Sequence, residues 1–183
     1  MNIKDNKVQS YILCAFFAAL TAVFSQIQIP LPFTPVPINL ALLVPLIAGA
    51  LLGPVKGALS MLVYVLLGIV GVPVFAGFEA GIGAVAGPTG GYIIGYITAA
   101  AIAGLFVSEK HYFPIMLSGF ILAVLSCYTL GTVWFCIFMN MGVLKALALC
   151  VLPFIPGDAL KIAGAVAISG AVRKAFPNIK SVR

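Results

Sequence analysis

The chain has 183 residues, 63% hydrophobic and 8% charged, with a mean hydropathy of +1.21. Soluble domains carry about 25% charged residues, so this composition excludes an ordinary soluble protein and points to a single-domain integral membrane protein. The net charge of +6 does not signal nucleic acid, because the basic residues fall in small groups at the ends of apolar runs, as membrane topology requires.

A helix that crosses the hydrocarbon core needs about 20 mostly apolar residues. The first such run covers about residues 9–27. It follows a short polar start with no small-residue cleavage site, so a removable signal peptide is not expected. Residues 28–37 carry four prolines, which forbid a continuous helix. A second apolar run, 38–52, stops at Gly53-Pro54, and a third, 55–70, stops at Gly71-Val72-Pro73. Both are short and are expected to be tilted or to end inside the protein. A glycine-rich connection follows over 71–91. The fourth span covers 92–108, and Glu109-Lys110-His111 makes a polar turn. The fifth covers about 114–140. Residues 144–152 read as helical but too short to cross a bilayer, and Pro153 and Pro156 interrupt them. The last span, 157–175, ends in a basic tail.

The expectation is therefore an all-α membrane protein: one domain over 1–183, six transmembrane helices, and Gly/Pro-rich loops closing a ligand pocket. With six spans, Lys4, Lys7, Lys56, Lys110, Arg173, Lys174, Lys180 and Arg183 share one side. The positive-inside rule places that side, with both termini, in the cytoplasm. The proline loop, the glycine-rich connection and the start of the last helix then converge on the outer side. Irregular backbone at membrane depth is tolerated where it is buried in protein or lines a cavity, so an outward-facing pocket is inferred.

Within that apolar chain, Asp158 and Lys161 stand out. Their spacing puts both on one helix face. A charge inside a span costs at least about 2.5–3.5 kcal/mol, so such residues usually face the protein interior and act there. Asp158 is also a residue type favoured as an N-cap, and Lys161 has a plain ion pair or snorkelling as its simpler roles. The cysteines Cys14, Cys127, Cys136 and Cys150 lack metal-type spacing and read as packing residues. Ala15 and Ala19 give a small-xxx-small spacing that lets helices approach closely. There is no HExxH, GxSxG or Walker motif, so no catalytic constellation is visible.

Several segments, taken in order, resemble the BioY family, the biotin-binding S components of energy-coupling factor (ECF) transporters. They are Ile29-Pro30-Leu31-Pro32-Phe33-Thr34-Pro35-Val36-Pro37-Ile38, Leu52-Gly53-Pro54, Leu66-Leu67-Gly68, Gly71-Val72-Pro73-Val74-Phe75-Ala76-Gly77, Gly87-Pro88-Thr89-Gly90-Gly91-Tyr92 and Pro156-Gly157-Asp158-Ala159-Leu160-Lys161. The resemblance implies a multi-pass protein of the cell membrane that takes biotin from outside. It would be a non-enzymatic subunit partnered by an EcfT-like transmembrane coupling protein and two cytosolic ATPases, with biotin as cargo and no cofactor. Such subunits are thought to topple in the membrane and so deliver the loaded pocket inward. An S component for another small vitamin and a stand-alone biotin carrier are the competing readings.

Biotin presents a fused ring with two N–H donors and a carbonyl, a thioether, and a tail ending in a carboxylate. A matching site needs an acceptor, a donor, an apolar or aromatic slot, and a cation or several N–H groups. On that basis Asp158 is assigned to the ureido N–H groups and Lys161 to the carboxylate or to positioning Asp158. Tyr64 and Tyr92 supply hydroxyls, Phe33 and Phe75 an apolar slot. Ala76 and Gly77 belong to the loop beside Phe75. Gly87 to Gly91, including Gly90 and Gly91, offer close backbone approach and N–H groups at a helix start. Thr34, Asn39 and Thr89 are further polar candidates. Two positions depart from the family pattern: Glu79 stands where a basic residue is common, and Asn39-Leu40-Ala41 where Thr-Leu-Gln is common. Glu79 would repel the carboxylate unless it binds the ureido end, points to solvent, or is neutralised by Lys161. In S components a similar alanine motif docks the coupling protein, which assigns that role to Ala15 and Ala19.

Overall fold

The computed structural model describes residues 7–107 and 113–175. Lys4, the polar turn Glu109-Lys110-His111, Ser108, Lys180 and Arg183 lie outside the described residues. The elements run α1 (Lys7–Gln26), β1 (Gln28–Leu31), β2 (Thr34–Asn39), α2 (Leu43–Leu52), α3 (Pro54–Val70), α4 (Ile82–Ala86), α5 (Gly90–Val107), α6 (Phe113–Met139), α7 (Val143–Cys150) and α8 (Ile155–Ala175). Single 3₁₀ turns lie at Ala76–Phe78 and Leu152–Phe154.

The expected spans are present, with shifted edges. Among the described residues, α1, α6 and the α7–α8 stretch are long and apolar enough to cross a membrane, and α2, α3 and α5 are shorter apolar helices. The bundle turns many large apolar side chains outward, including Ile12 and Phe16 on α1 and Leu125, Val133 and Ile137 on α6, as lipid-facing helices do. α2 and α3 are separated by Gly53 alone, whose φ of 84° suits glycine, with Pro54 opening α3 in the first-turn position where its missing N–H costs nothing. Asn140, at φ 48°, ends α6 in the left-handed region that Asn tolerates.

The second run corrects the expectation. Residues 38 and 39 are not helical; they finish β2, and the helix starts only at Leu43. The proline-rich segment is an antiparallel hairpin pairing Gln28 with Asn39, Ile29 with Ile38 and Leu31 with Thr34. A two-stranded hairpin consists of edges only, so its prolines fit where no ladder N–H is needed, and the register is irregular between Ile29 and Leu31, around Pro30. The glycine-rich connection is likewise more ordered than a loop, holding a 3₁₀ turn and α4.

α5 is central, packing on α6, α2 and α3. At one end of the bundle, the Cys14 thiol meets the Lys56 carbonyl, a Cβ on Gly104 would lie 2.3 Å from Pro54 N, and Arg173 donates to the Ala50 carbonyl at 2.5 Å. These contacts gather the starts of α1 and α3 and the ends of α2, α5 and α8. The opposite end collects the hairpin, the 71–89 connection, α7 and the start of α8. The irregular segments thus converge on one side, as their alternation along the chain requires.

Candidate functional site

At that loop end the bundle encloses a chamber of ≈ 360 Å³, lined by residues of the hairpin, the 71–79 loop and α3, α5, α6 and α8. Its size falls in the range of small-molecule sites, about 300–1,000 Å³. Asp158, Lys161, Tyr64, Glu79, Thr34, Asn39, Phe75, Ala76, Gly77, Thr89 and Tyr92 all line it.

Asp158 lies in the first turn of α8, which begins at Ile155, so it does not stand at the cap position. Its carboxylate instead accepts from Lys161 Nζ at 2.5 Å and from the Tyr128 hydroxyl of α6. Asp158 and Lys161 are 4% and 6% exposed, which rules out snorkelling. A buried ion pair is weak evidence for stability, because desolvation offsets much of its attraction. Its placement on the wall of a chamber gives it a different use: a carboxylate already fixed by two donors retains acceptor capacity for a ligand.

The walls are aromatic. Tyr64 is fully buried and donates to the Val74 carbonyl at 3.3 Å. Its ring meets Phe75 edge-on, centroids 5.5 Å apart, and Tyr96 at 6.3 Å. Phe75 is itself seated over Gly68: a Cβ there would come within 2.0 Å of its ring. Tyr92 covers Gly131 in the same way and donates to the Cys150 carbonyl at 3.3 Å. Glycines on α3 and α6 thus hold two of the ring walls in place.

The mouth is held by α1. Gln26 Nε2 donates to the Val74 and Phe75 carbonyls at 3.3 and 2.9 Å, and Gln26 Oε1 accepts from Phe78 N at 2.9 Å. Ser25 donates to the same Val74 carbonyl at 2.6 Å. Phe78 stands at φ 60°, a conformation costing a non-glycine residue roughly 1–2 kcal/mol, so this clamp works against backbone strain. On the hairpin, Asn39 Oδ1 accepts from Ala41 N at 3.1 Å and Thr34 Oγ1 accepts from Val36 N at 3.3 Å, which orients both side chains.

Three expected residues do not line the chamber. Phe33 sits in the hairpin turn, 55% exposed. Gly90 and Gly91 open α5 and face Val85 and Trp134. Nor is that helix start an open cluster of donors, since Gly90 N, Tyr92 N and Ile93 N already bond to Gly87 and Thr89 carbonyls. Glu79 is exposed, and Lys161 pairs with Asp158 rather than with it. Ala15 and Ala19 lie exposed on one face of α1, while Cys14 and Ala18 turn inward. Sequence reasoning missed Tyr128, Tyr96, Ser25 and Gln28. Tyr92 and Tyr96 are four apart on α5, hence on one face, and Tyr128 lies far from either end of α6; those placements were the available signal.

Apolar helices around a largely apolar chamber that carries a buried acid–base pair define a membrane-embedded binder of small molecules. The family model for the BioY family matches residues 1–178, and the chain belongs to that family. Among its relatives, the probable biotin transporter BioY of Pyrococcus horikoshii is 42% identical, with 89% of this chain and 95% of the relative aligned. The biotin transporter BioY of Thermotoga maritima is 34% identical, covering 91% and 97%. Among solved structures, the S-component for biotin from an ECF-type ABC transporter superposes with a TM-score of 0.87 at 30% identity, covering 95% of each chain. These relatives are named as biotin transporters and as a transporter component.

Proposed function

We propose that this chain is the biotin-binding S component of an ECF-type uptake transporter, acting as one unit over 1–183 in the cell membrane with both termini cytoplasmic. The observation that carries the reading is the chamber itself: a buried Asp158–Lys161 pair, bonded by the half-buried Tyr128, faces an aromatic slot, in a chain of the BioY family. The ureido N–H groups of biotin match the Asp158 carboxylate, and its fused ring matches the slot formed by Tyr64, Phe75 and Tyr96. Lys161 holds Asp158 in place. Thr34, Asn39, Thr89 and Tyr92 offer polar contacts along the ligand, and Ala76 and Gly77 let the backbone come close.

Capture is followed by reorientation of the loaded subunit in the membrane, driven by two ATPases through an EcfT-like coupling protein docked on the Ala15–Ala19 face of α1. Labelled biotin binding to the purified chain, with other vitamins as competitors, tests the ligand. Displacement by biotin alone is the expected result. Displacement by a different vitamin, or binding of none, would overturn the assignment.

A further inference from the structure

A second hollow, of ≈ 500 Å³ and more open to solvent than the first chamber, adjoins it, and the two share Pro35, Glu79 and Thr89. Its remaining walls are small or rigid: Ala80, Gly83, Ala84, Gly87 and Pro88. Neither has a cation in its lining except Lys161, which is paired with Asp158 at 2.5 Å and is neutral with it as a unit. Glu79 therefore sets the charge where the two meet. Among the described residues no cation lies within salt-bridge distance of it.

Asp158 and Glu79 line the same first chamber, so a ligand with its ring at Asp158 has Glu79 bordering the space open to its tail. A tail ending in a carboxylate there meets a like charge beside additional empty space. Converting the carboxylate to an amide removes the repulsion, and an amide whose far end bears an ammonium gains an opposite charge and fills the second hollow. We propose that this second hollow is a subsite for the cationic tail of a biotin amide, in which the vitamin's carboxyl is joined to an amine that keeps a further ammonium group. The inference rests on the biotin reading of the first chamber and adds the class of conjugate that the whole site prefers.

The test is equilibrium competition against labelled biotin on the full chain, using three ligands with one ring: free biotin, biotin methylamide, and the amide of biotin with ethylenediamine. Affinity is expected to rise in that order, and the differences to shrink in high salt. Glu79→Gln is expected to weaken the cationic amide by about two- to fivefold, the scale of an exposed ion pair, and to leave the methylamide unchanged. Equal affinities that Glu79→Gln does not alter would overturn the subsite while leaving the biotin reading intact. An equal change for all three ligands would also overturn it, since Glu79 would then act on the shape of the mouth. Failure of all three to bind would overturn both.

Discussion

Tyr128 and Asp158 meet across the α6–α8 interface, the phenol hydroxyl donating to one carboxylate oxygen while Lys161 holds the other at 2.5 Å. One buried acid is thus fixed from its own helix and from a neighbour. The arrangement orients an acceptor toward the chamber and makes it sensitive to the loss of either donor.

Lys161→Met should leave Asp158 as an uncompensated buried charge. The expected cost is about 3–5 kcal/mol of stability, because removing one partner of a buried pair strands the other. Adding Asp158→Asn to Lys161→Met should recover much of the melting temperature without restoring biotin binding. Thermal unfolding in detergent distinguishes the outcomes; a single variant as stable as the parent would show that the pair is not closely coupled.

Gly68→Ala should impair the aromatic wall. The added methyl would fall 2.0 Å from the Phe75 ring, and that ring packs edge-on against Tyr64. Overpacking of this kind costs about 1–3 kcal/mol. Weaker biotin binding is expected, with partial rescue when Phe75 is shortened to Leu in the same chain. Parental affinity for Gly68→Ala would mean the wall yields easily.

Gln26→Leu should open the mouth. It deletes the side-chain bonds to Val74, Phe75 and Phe78 that hold a residue at positive φ. Losing net bonds of about 0.5–1.5 kcal/mol each should appear mainly in the dissociation rate, as most affinity changes do. Stopped-flow release of labelled biotin checks it, and an unchanged rate would show that the 71–79 loop does not limit exit.

Ala19→Trp should spare biotin binding yet prevent assembly, because Ala15 and Ala19 form an exposed small-residue face on α1, away from the chamber. Normal co-purification with a coupling protein and its ATPases would place the docking face elsewhere.

Hydropathy located the spans, and charge isolated Asp158 and Lys161, because an acid and a base in an apolar tract have few places to go. The partners of that pair were less legible. Tyr128 belongs to a 27-residue apolar helix, where a tyrosine looks like any packing residue until α8 is seen to cross it. The hairpin was hidden by its prolines, which usually argue against strands and are tolerated here only because both strands are edges. Phe33 illustrates the opposite error: an aromatic next to lining residues was assigned to the slot, yet the turn directs it outward at 55% exposure. Local sequence does not show which way a two-residue turn presents its side chains. Gly68 reads as a helix-packing glycine, and only the position of Phe75 reveals its bearing on the site.

The most direct test of the central claim is equilibrium binding of labelled biotin to the purified full chain and to Asp158→Asn. The parent should bind saturably, one ligand per chain. The variant, still folded, should be weaker by about 1.5–3 kcal/mol, the scale of a charge-assisted hydrogen bond. Equal affinity in the two proteins would contradict the account, because the buried acid at the head of α8 would then have no part in holding the vitamin.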